Sequence, residues 1–335
     1  MPPVFAILGV ARIAPKAFLA PSRGLCEVRG IASRSPGRAL EFAREQGLSK
    51  AYGSYLEAIE DPDVTAVYVP TPAATHVQWV SRALLSGKHV LCEKPFSLCG
   101  NEAQALVAQA HSAGLALMEA HHSYYHPLRP AFMAAVAQME RIDSVEVVFD
   151  APIADETDIR LSSQLGAGVF LDFGGYLLSW LGWVTEARGG AGLSALEIES
   201  ALAQVRPAEI DREMRAEARL NLPEGSVRGL LSCSMEPGVE FRARITVRGP
   251  KAGVVFENPL SLEGSFLETS EGSRITSPPA PSTYRGQLEA FCLQIEGGPV
   301  ARHTGQELIA MQTLQERVYA RAGLLSRFEL SRVTY

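Results

Sequence analysis

Over the first 120 residues, short continuous apolar runs alternate with stretches spaced at helical period. Residues 4–8 are apolar throughout, the pattern of a strand buried on both faces. Similar runs predict strands at 26–34, 64–69, 89–92 and 115–119. Between them, helices are predicted just after Gly9 and over 37–46, 55–60, 77–85 and 101–113, with Gly87 and Gly114 at the ends of the last two. Alternation of this kind builds a doubly wound parallel sheet.

Beyond Pro130 the pattern changes, and strand-like runs follow one another at 144–150, 197–205, 213–222, 226–235 and 241–247. The turn Leu222-Pro223-Glu224-Gly225 joins two of them, so a largely antiparallel sheet is expected. Apolar and charged residues alternate over 214–220, which gives that sheet one solvated face. One segment breaks the pattern. After Asp158-Ile159-Arg160 and a glycine cluster, a helix is predicted from Leu171, with Asp172 and Tyr176 at i and i+4 on one face. Gly174 and Gly175 between them each cost about 1 kcal/mol of helix propensity. That cost fits either close approach by a ligand or neighbouring backbone, or a glycine-tolerant packing helix. Two helices, 284–295 and 306–320, close the chain.

Composition narrows the class without changing the fold. With 47% hydrophobic residues, 20% charged residues and a net charge of −6, the chain lacks the basic clusters that nucleic acid or anionic membrane would require. No apolar run reaches 18 residues, and the N-terminal run has no basic segment before it. The five cysteines are scattered without a CxxC spacing, so no disulfide framework is expected. These features point to the cytoplasm.

Candidate chemistry gathers where the predicted parallel strands end. The run 89–92 stops in Glu93-Lys94-Pro95, and proline has no N–H to extend a ladder, so Lys94 is presented at a carboxyl edge, where open α/β sheets bind ligands. The first strand runs into Gly9-Val10-Ala11-Arg12-Ile13-Ala14, a G-x-G-x-x-G/A turn with alanine at its second and third small positions. Small residues there let backbone N–H groups of Gly9, Ala11, Arg12 and Ile13 approach a pyrophosphate. No acidic residue follows at the end of the second strand. Ser33 and Arg34 stand there instead, with Arg38 shortly after, a set that suits a ribose 2′-phosphate and favours NADP(H) over NAD(H). The third strand ends in Pro70-Thr71-Pro72, and His76 opens the next helix, where a capping or surface role competes with ligand contact. His121, His122 and His126 lie within six residues, but no H-E-x-x-H or ligand-spaced partner beyond Glu119 accompanies them. They are read as an active-site rim, with His121 and His122 as candidate substrate contacts, and no metal is expected.

In this order the motifs resemble the glucose–fructose oxidoreductase and inositol dehydrogenase family of nicotinamide-dependent dehydrogenases. The resemblance rests on the Gly9–Ala14 turn, Pro70-Thr71-Pro72…His76, Glu93-Lys94-Pro95, Glu119…His126-Pro127 and Asp172-Phe173-Gly174-Gly175-Tyr176, with Tyr284-x-x-Gln287…Phe291, Gly305 and Tyr319 in the tail. It is closest to the branch of NADP-dependent D-xylose dehydrogenases and dimeric dihydrodiol dehydrogenases. Asp158-Ile159-Arg160 also looks like sugar ketoreductases. The resemblance implies a Rossmann domain over 1–122 and an α+β substrate domain over 123–335, whose open, mostly antiparallel sheet mediates homo-oligomers. It further implies Lys94, Asp172 and Tyr176 as catalytic residues, Glu93 as a cofactor contact and Arg160 as a weaker substrate contact.

The residue types suit hydride transfer. The nicotinamide handles the hydride, and a protein group must handle the proton. A free tyrosine titrates near pH 10, and a neighbouring ammonium stabilises its phenolate. Tyr176 as proton donor or acceptor and Lys94 as its electrostatic partner therefore make a consistent pair, with Asp172 positioning Lys94 or a substrate hydroxyl. The expected substrates are sugars, polyols or cyclic diols. A reductase of nucleotide-linked ketosugars and a non-catalytic NADP-binding regulator are the alternatives.

Overall fold

The apolar runs of the first third assemble into one six-stranded sheet, all parallel, in the computed structural model, which describes residues 2–206 and 210–333. The chain forms two compact units. The first comprises residues up to 97, 101–122 and 284–309, and the second 98–100, 123–283 and everything from 310.

In the first unit β1 (Val4–Leu8) leads into a π-helical turn (Pro15–Leu19) and α1 (Ala20–Ser22). Then follow β2 (Glu27–Ala32), α2 (Pro36–Gln46), β3 (Lys50–Tyr52), α3 (Tyr55–Glu60), β4 (Ala66–Val69) and α4 (His76–Leu85). β5 (His89–Glu93), α5 (Gly100–Ala113) and β6 (Leu117–Ala120) complete the sheet, whose order is β3-β2-β1-β4-β5-β6. All four residues of β4 are buried, because helices cover both faces of a parallel sheet, and this is why such strands read as unbroken apolar runs. The strand order reverses at β1 and β4, which opens a crevice at their carboxyl ends.

The edge strand β3 was not anticipated from the sequence. Its three residues carry no periodicity, and tertiary contacts hold it. Asp61 accepts hydrogen bonds from Lys50 Nζ at 2.8 Å, Tyr52 Oη at 2.8 Å and the Asp63 amide at 2.9 Å. Together these lower its carboxyl pKa to about 2, with Lys50 the largest cause.

The second unit begins with a helix where strands were expected to take over. In α6 (Arg129–Ala137) Pro130 occupies the first turn, where its missing N–H costs nothing, and Phe132 and Val136 are buried one turn apart. The sheet comprises β7 (Ser144–Asp150), β8 (Leu196–Arg206), β9 (Ile210–Leu222), β10 (Gly225–Ser234), β11 (Arg242–Arg248), β12 (Gly253–Glu257), β13 (Phe266–Thr269) and β14 (Arg274–Thr276). Its order is β14-β13-β12-β11-β7-β10-β9-β8, antiparallel except for the parallel β7/β10 pair. The last three strands also went unread, being short and, in β14, exposed throughout.

Helix α7 (Val169–Ala187) packs on one face of this sheet, where Phe173 stacks on Phe149 with ring centroids 4.1 Å apart. Gly229 lets it sit close: a Cβ there would lie 2.6 Å from a Leu220 methyl and 3.3 Å from Leu181. The opposite face carries cross-strand ion pairs such as Arg228–Glu217, Arg244–Glu257 and Arg248–Glu146, the solvated face anticipated from alternation. Gly174 is explained by packing: a Cβ there would stand 2.7 Å from the ring of Phe170. The neighbour that requires glycine is thus a side chain of the same helix. Helices α8 (Thr283–Ile295), α9 (Gly305–Arg321) and α10 (Arg327–Val333) end the chain.

Candidate active site

The first unit brings most of the predicted cofactor residues to the carboxyl edge of its sheet. Gly9 leaves β1 at φ +134°, its amide donating to the Ala32 carbonyl at 2.9 Å. A Cβ at Gly9 would lie 3.4 Å from Thr71 Cγ2 and 3.6 Å from the Pro70 carbonyl, so the turns after β1 and β4 face one another. Ala11 follows, half-buried, with Arg12 and Ile13 exposed. At the end of β2, Ser33 is buried and accepts a hydrogen bond from the Ser35 amide at 3.3 Å, while Arg34 and Arg38 are exposed. Both guanidiniums act on the phenol of Tyr55, whose pKa is pushed up by burial and held back by the two cations.

Lys94 is half-buried in a loop whose flanks are tied down. On one side Tyr68 Oη donates to Glu93 Oε1 at 2.6 Å. On the other, the Pro95 carbonyl lies 2.8 Å from His76 Nδ1, and the Phe96 amide donates to Glu119 Oε1 at 2.9 Å. His76 Nε2 lies 2.6 Å from the Thr71 carbonyl. His76 is therefore neither a surface residue nor a side-chain cap; it is a fully buried link between the loops after β4 and β5, and burial lowers its pKa.

The histidines read as a rim separate. His121 is buried and stacks on His303 at 4.2 Å, and His122 stacks on Tyr284 at 4.0 Å. His126, in the second unit, bonds the Ser261 carbonyl through Nε2 at 3.1 Å and accepts from the Leu128 amide through Nδ1 at 3.1 Å, a structural role. Among the described residues no three His, Cys, Asp or Glu side chains converge as metal ligands.

In the second unit α7 carries Asp172 and, one turn on, Tyr176, which is 5% exposed beside the rings of Phe149 and Trp180. Asp158 grips Arg160 with two bonds, Nε–Oδ1 at 2.9 Å and Nη2–Oδ2 at 3.0 Å. That grip leaves Arg160 Nη1 at 4.0 Å from Asp172 Oδ2, so the weaker substrate candidate lies beside a predicted catalytic carboxylate. One side chain at these positions escaped sequence reasoning: Tyr68 is buried inside a strand, and its signal was only a phenol in an apolar run. Tyr284, named from the tail motif without a role, lies near Glu93 with Lys16 Nζ 6.0 Å from its ring centre, and burial raises its pKa.

The first unit fits a dinucleotide on its own geometry. Gly9 leaves a cradle that a side chain would fill, and Thr71 Oγ1 at its wall is buried without a hydrogen-bond partner among the described residues. The end of β2 adds two exposed cations.

Comparison with known proteins agrees. The profile of an oxidoreductase family with an NAD-binding Rossmann fold matches residues 4–121. A D-xylose 1-dehydrogenase (NADP(+)) of Haloferax volcanii is 29% identical over 332 residues, 98% of this chain and 99% of its own length. A trans-1,2-dihydrobenzene-1,2-diol dehydrogenase of Sus scrofa is 31% identical over 258 residues, covering 76% of this chain and 73% of the relative. Among solved structures, a 3-ketoreductase from Actinomadura kijaniata in complex with NADP and TDP-benzene superposes with a TM-score of 0.84 at 26% identity, covering 96% of this chain and 98% of that one.

Proposed function

The chain belongs to the glucose–fructose oxidoreductase and inositol dehydrogenase family, and on that premise we propose that it is an NADP(H)-dependent enzyme interconverting an alcohol and a carbonyl on a sugar, polyol or cyclic diol. The observation that carries this reading is the Lys94 loop, a half-buried cation at the carboxyl end of β5 whose two flanks are fixed by Tyr68, His76 and Glu119.

Gly9, Ala11, Arg12, Ile13, Pro70, Thr71, Pro72 and Glu93 hold the dinucleotide, and Ser33, Arg34 and Arg38 take its 2′-phosphate. When bound, the nicotinamide supplies or accepts the hydride. Tyr176 gives a proton to the substrate oxygen in reduction and takes it in oxidation. Lys94 offsets the negative charge that develops on that oxygen, the electrostatic contribution that usually dominates such barriers. Asp172, with Arg160 beside it, orients a substrate hydroxyl. In this reading the first unit handles the cofactor and the second the substrate.

A second reading, reduction of a nucleotide-linked ketosugar, is supported by the likeness to the Actinomadura 3-ketoreductase and by a clamped, 40% exposed Arg160 able to meet an anionic substrate. A homo-oligomer through the open face of the eight-stranded sheet is also proposed. Its support is a groove of about 690 Å³ on that face and the 71% exposure of Leu202 at its wall. The five cysteines, all free, fit a reducing cytoplasmic setting.

The deciding experiment follows nicotinamide absorbance with NADP and with NAD against aldoses, inositols, trans-dihydrodiols and a TDP-linked 3-ketosugar, with Tyr176→Phe as control. Turnover on one class, lost in the control, is expected. Undiminished turnover by Tyr176→Phe refutes the role given to the phenol, and no turnover on the whole panel refutes the substrate reading.

A further inference from the structure

The first turn of α7 does not cap itself. The residue before it, Gly168, has no side chain and a φ of +132°, and the turn's free amides are met by groups distant in sequence. The Phe170 amide donates to Asp211 Oδ2 at 2.9 Å, and the Leu171 amide donates to Tyr319 Oη at 3.0 Å. Tyr319 donates in turn to Asp211 Oδ2 at 3.2 Å, and Arg327 donates to the same carboxylate. Gln315 Nε2 adds a bond to the Leu171 carbonyl at 3.4 Å.

All four side chains, Asp211, Tyr319, Arg327 and Gln315, are buried, Asp211 completely. A buried carboxylate is tolerable here for two reasons: the amides of a helix start favour an anion, and the Arg327 guanidinium neutralises it. Glycine at 168 is a condition of the arrangement, because a Cβ would stand 2.1 Å from Asp211 Oδ1. The Asp172 amide makes the first regular helical bond, to the Gly168 carbonyl at 3.1 Å, and Tyr176 follows one turn later.

We propose that Asp211, Tyr319 and Arg327 form a positioning cluster that sets where α7 starts and how it is rotated, and thereby where Asp172 and Tyr176 present their polar atoms. The capping role stands independently; the consequence for turnover rests on the roles proposed above for Asp172 and Tyr176.

The test uses the full-length protein and the variants Asp211→Asn, Tyr319→Phe and Gly168→Ala, each alone and with Tyr176→Phe. Amide hydrogen exchange at residues 170–172 is expected to quicken at least tenfold by order of magnitude in each single variant. On the substrate that wild type turns over, kcat is expected to fall on the order of 100-fold for Asp211→Asn, while the dissociation constant for NADP stays within about twofold. The kcat loss disappears in the Tyr176→Phe background, whereas the faster exchange persists. Asp211→Asn and Gly168→Ala together lose less than the product of their separate effects, because they break one contact. Should Asp211→Asn fail to fold, Tyr319→Phe keeps the carboxylate–guanidinium pair and carries the same measurements with a roughly tenfold kcat effect. Unchanged exchange at 170–172 in a folded variant overturns the cluster. Faster exchange with undiminished kcat overturns its positioning role. If wild type turns over nothing on the panel, the functional reading fails by itself and exchange still decides the cap.

Discussion

Arg34 and Arg38 offer the sharpest test of cofactor choice, because both are exposed, Arg34 just after β2 beside a buried Ser33 hydroxyl and Arg38 in the first turn of α2. In Arg34→Ala one guanidinium is lost while Ser33, the Gly9 turn and Tyr55 stay in place. A hydrogen bond to a charged group contributes about 1.5–3 kcal/mol, and solvent-exposed ion pairs much less, about 0.2–1 kcal/mol. For an exposed guanidinium on a doubly charged phosphate, a value near 1.4 kcal/mol follows, or roughly tenfold in the KM for NADP. Removing Arg38 as well is expected to bring the total to between about 30- and 100-fold. It falls short of additive because two like charges repel each other in the free protein and both engage one phosphate.

The assay is initial-rate kinetics with each cofactor at low and at about 0.5 M salt, where the Debye length shrinks to roughly 4 Å. The KM for NADP should rise in the variants and, in wild type, with salt. The KM for NAD should stay flat or fall, and kcat should hardly move. An unchanged NADP/NAD ratio in the double variant refutes the reasoning. So does a parallel rise in both KM values, since loss of the whole fold at β2 would raise both.

Three further outcomes are expected. Lys94→Ala should lower kcat by about 100- to 1000-fold with cofactor binding retained, read by rapid-mixing rates and cofactor titration. Tyr68→Phe removes the 2.6 Å bond to Glu93 and should lower unfolding free energy by about 1–2 kcal/mol, measured in urea. Asp61, depressed to about 2 chiefly by Lys50, stabilises the fold above its unfolded pKa near 4, and that contribution is lost as pH falls toward 2. The shift corresponds to about 2.5 kcal/mol at most, and because Lys50 is 44% exposed, screening brings it nearer 1 kcal/mol. Asp61→Asn should therefore destabilise the protein at pH 7, with a gap that shrinks to roughly a third by about pH 2.5 and closes below the folded pKa of about 2; an equal gap at pH 7 and at about pH 2.5 would exclude the ion pair as the cause.

The first sheet was legible because its rules are local. A parallel strand buried on both faces must be an unbroken apolar run, a turn at φ +134° against Thr71 and Pro70 calls for glycine, and proline, with no N–H for the ladder, stops a strand. Each of these leaves a mark within a few residues of the feature it causes. The elements that escaped, β3, α6 and the strands after Val247, are those whose formation depends on distant partners. β3 is held by Asp61 rather than by its own pattern, and α6 declares itself only by a buried pair, Phe132 and Val136, in an alanine-rich stretch.

The same division runs through the chemistry. Binding a dinucleotide relies on backbone amides, a bare turn and cations at a strand end, so spacing alone nominates Gly9, Ser33 and Arg34 for the role proposed here. Handling a proton, in the role proposed for Tyr176, relies on the orientation of one phenol, and the start of its helix is tied by contacts spanning 41 residues from Phe170 to Asp211 and 148 from Leu171 to Tyr319. No local pattern can encode such a span. Asp211 shows why: it lies outside the strand predicted over 213–222, and the alternation of Met214, Ala216, Ala218 and Leu220 assigns its position to the solvated face. A register shift in the β8/β9 ladder between Gln204 and Val205 accompanies its burial. A buried charge without a partner would be costly enough to unfold a domain. Arg327 and Tyr319 supply the cation and the donor that offset it, from 116 and 108 residues away in sequence, so neither the burial nor its remedy leaves a local mark.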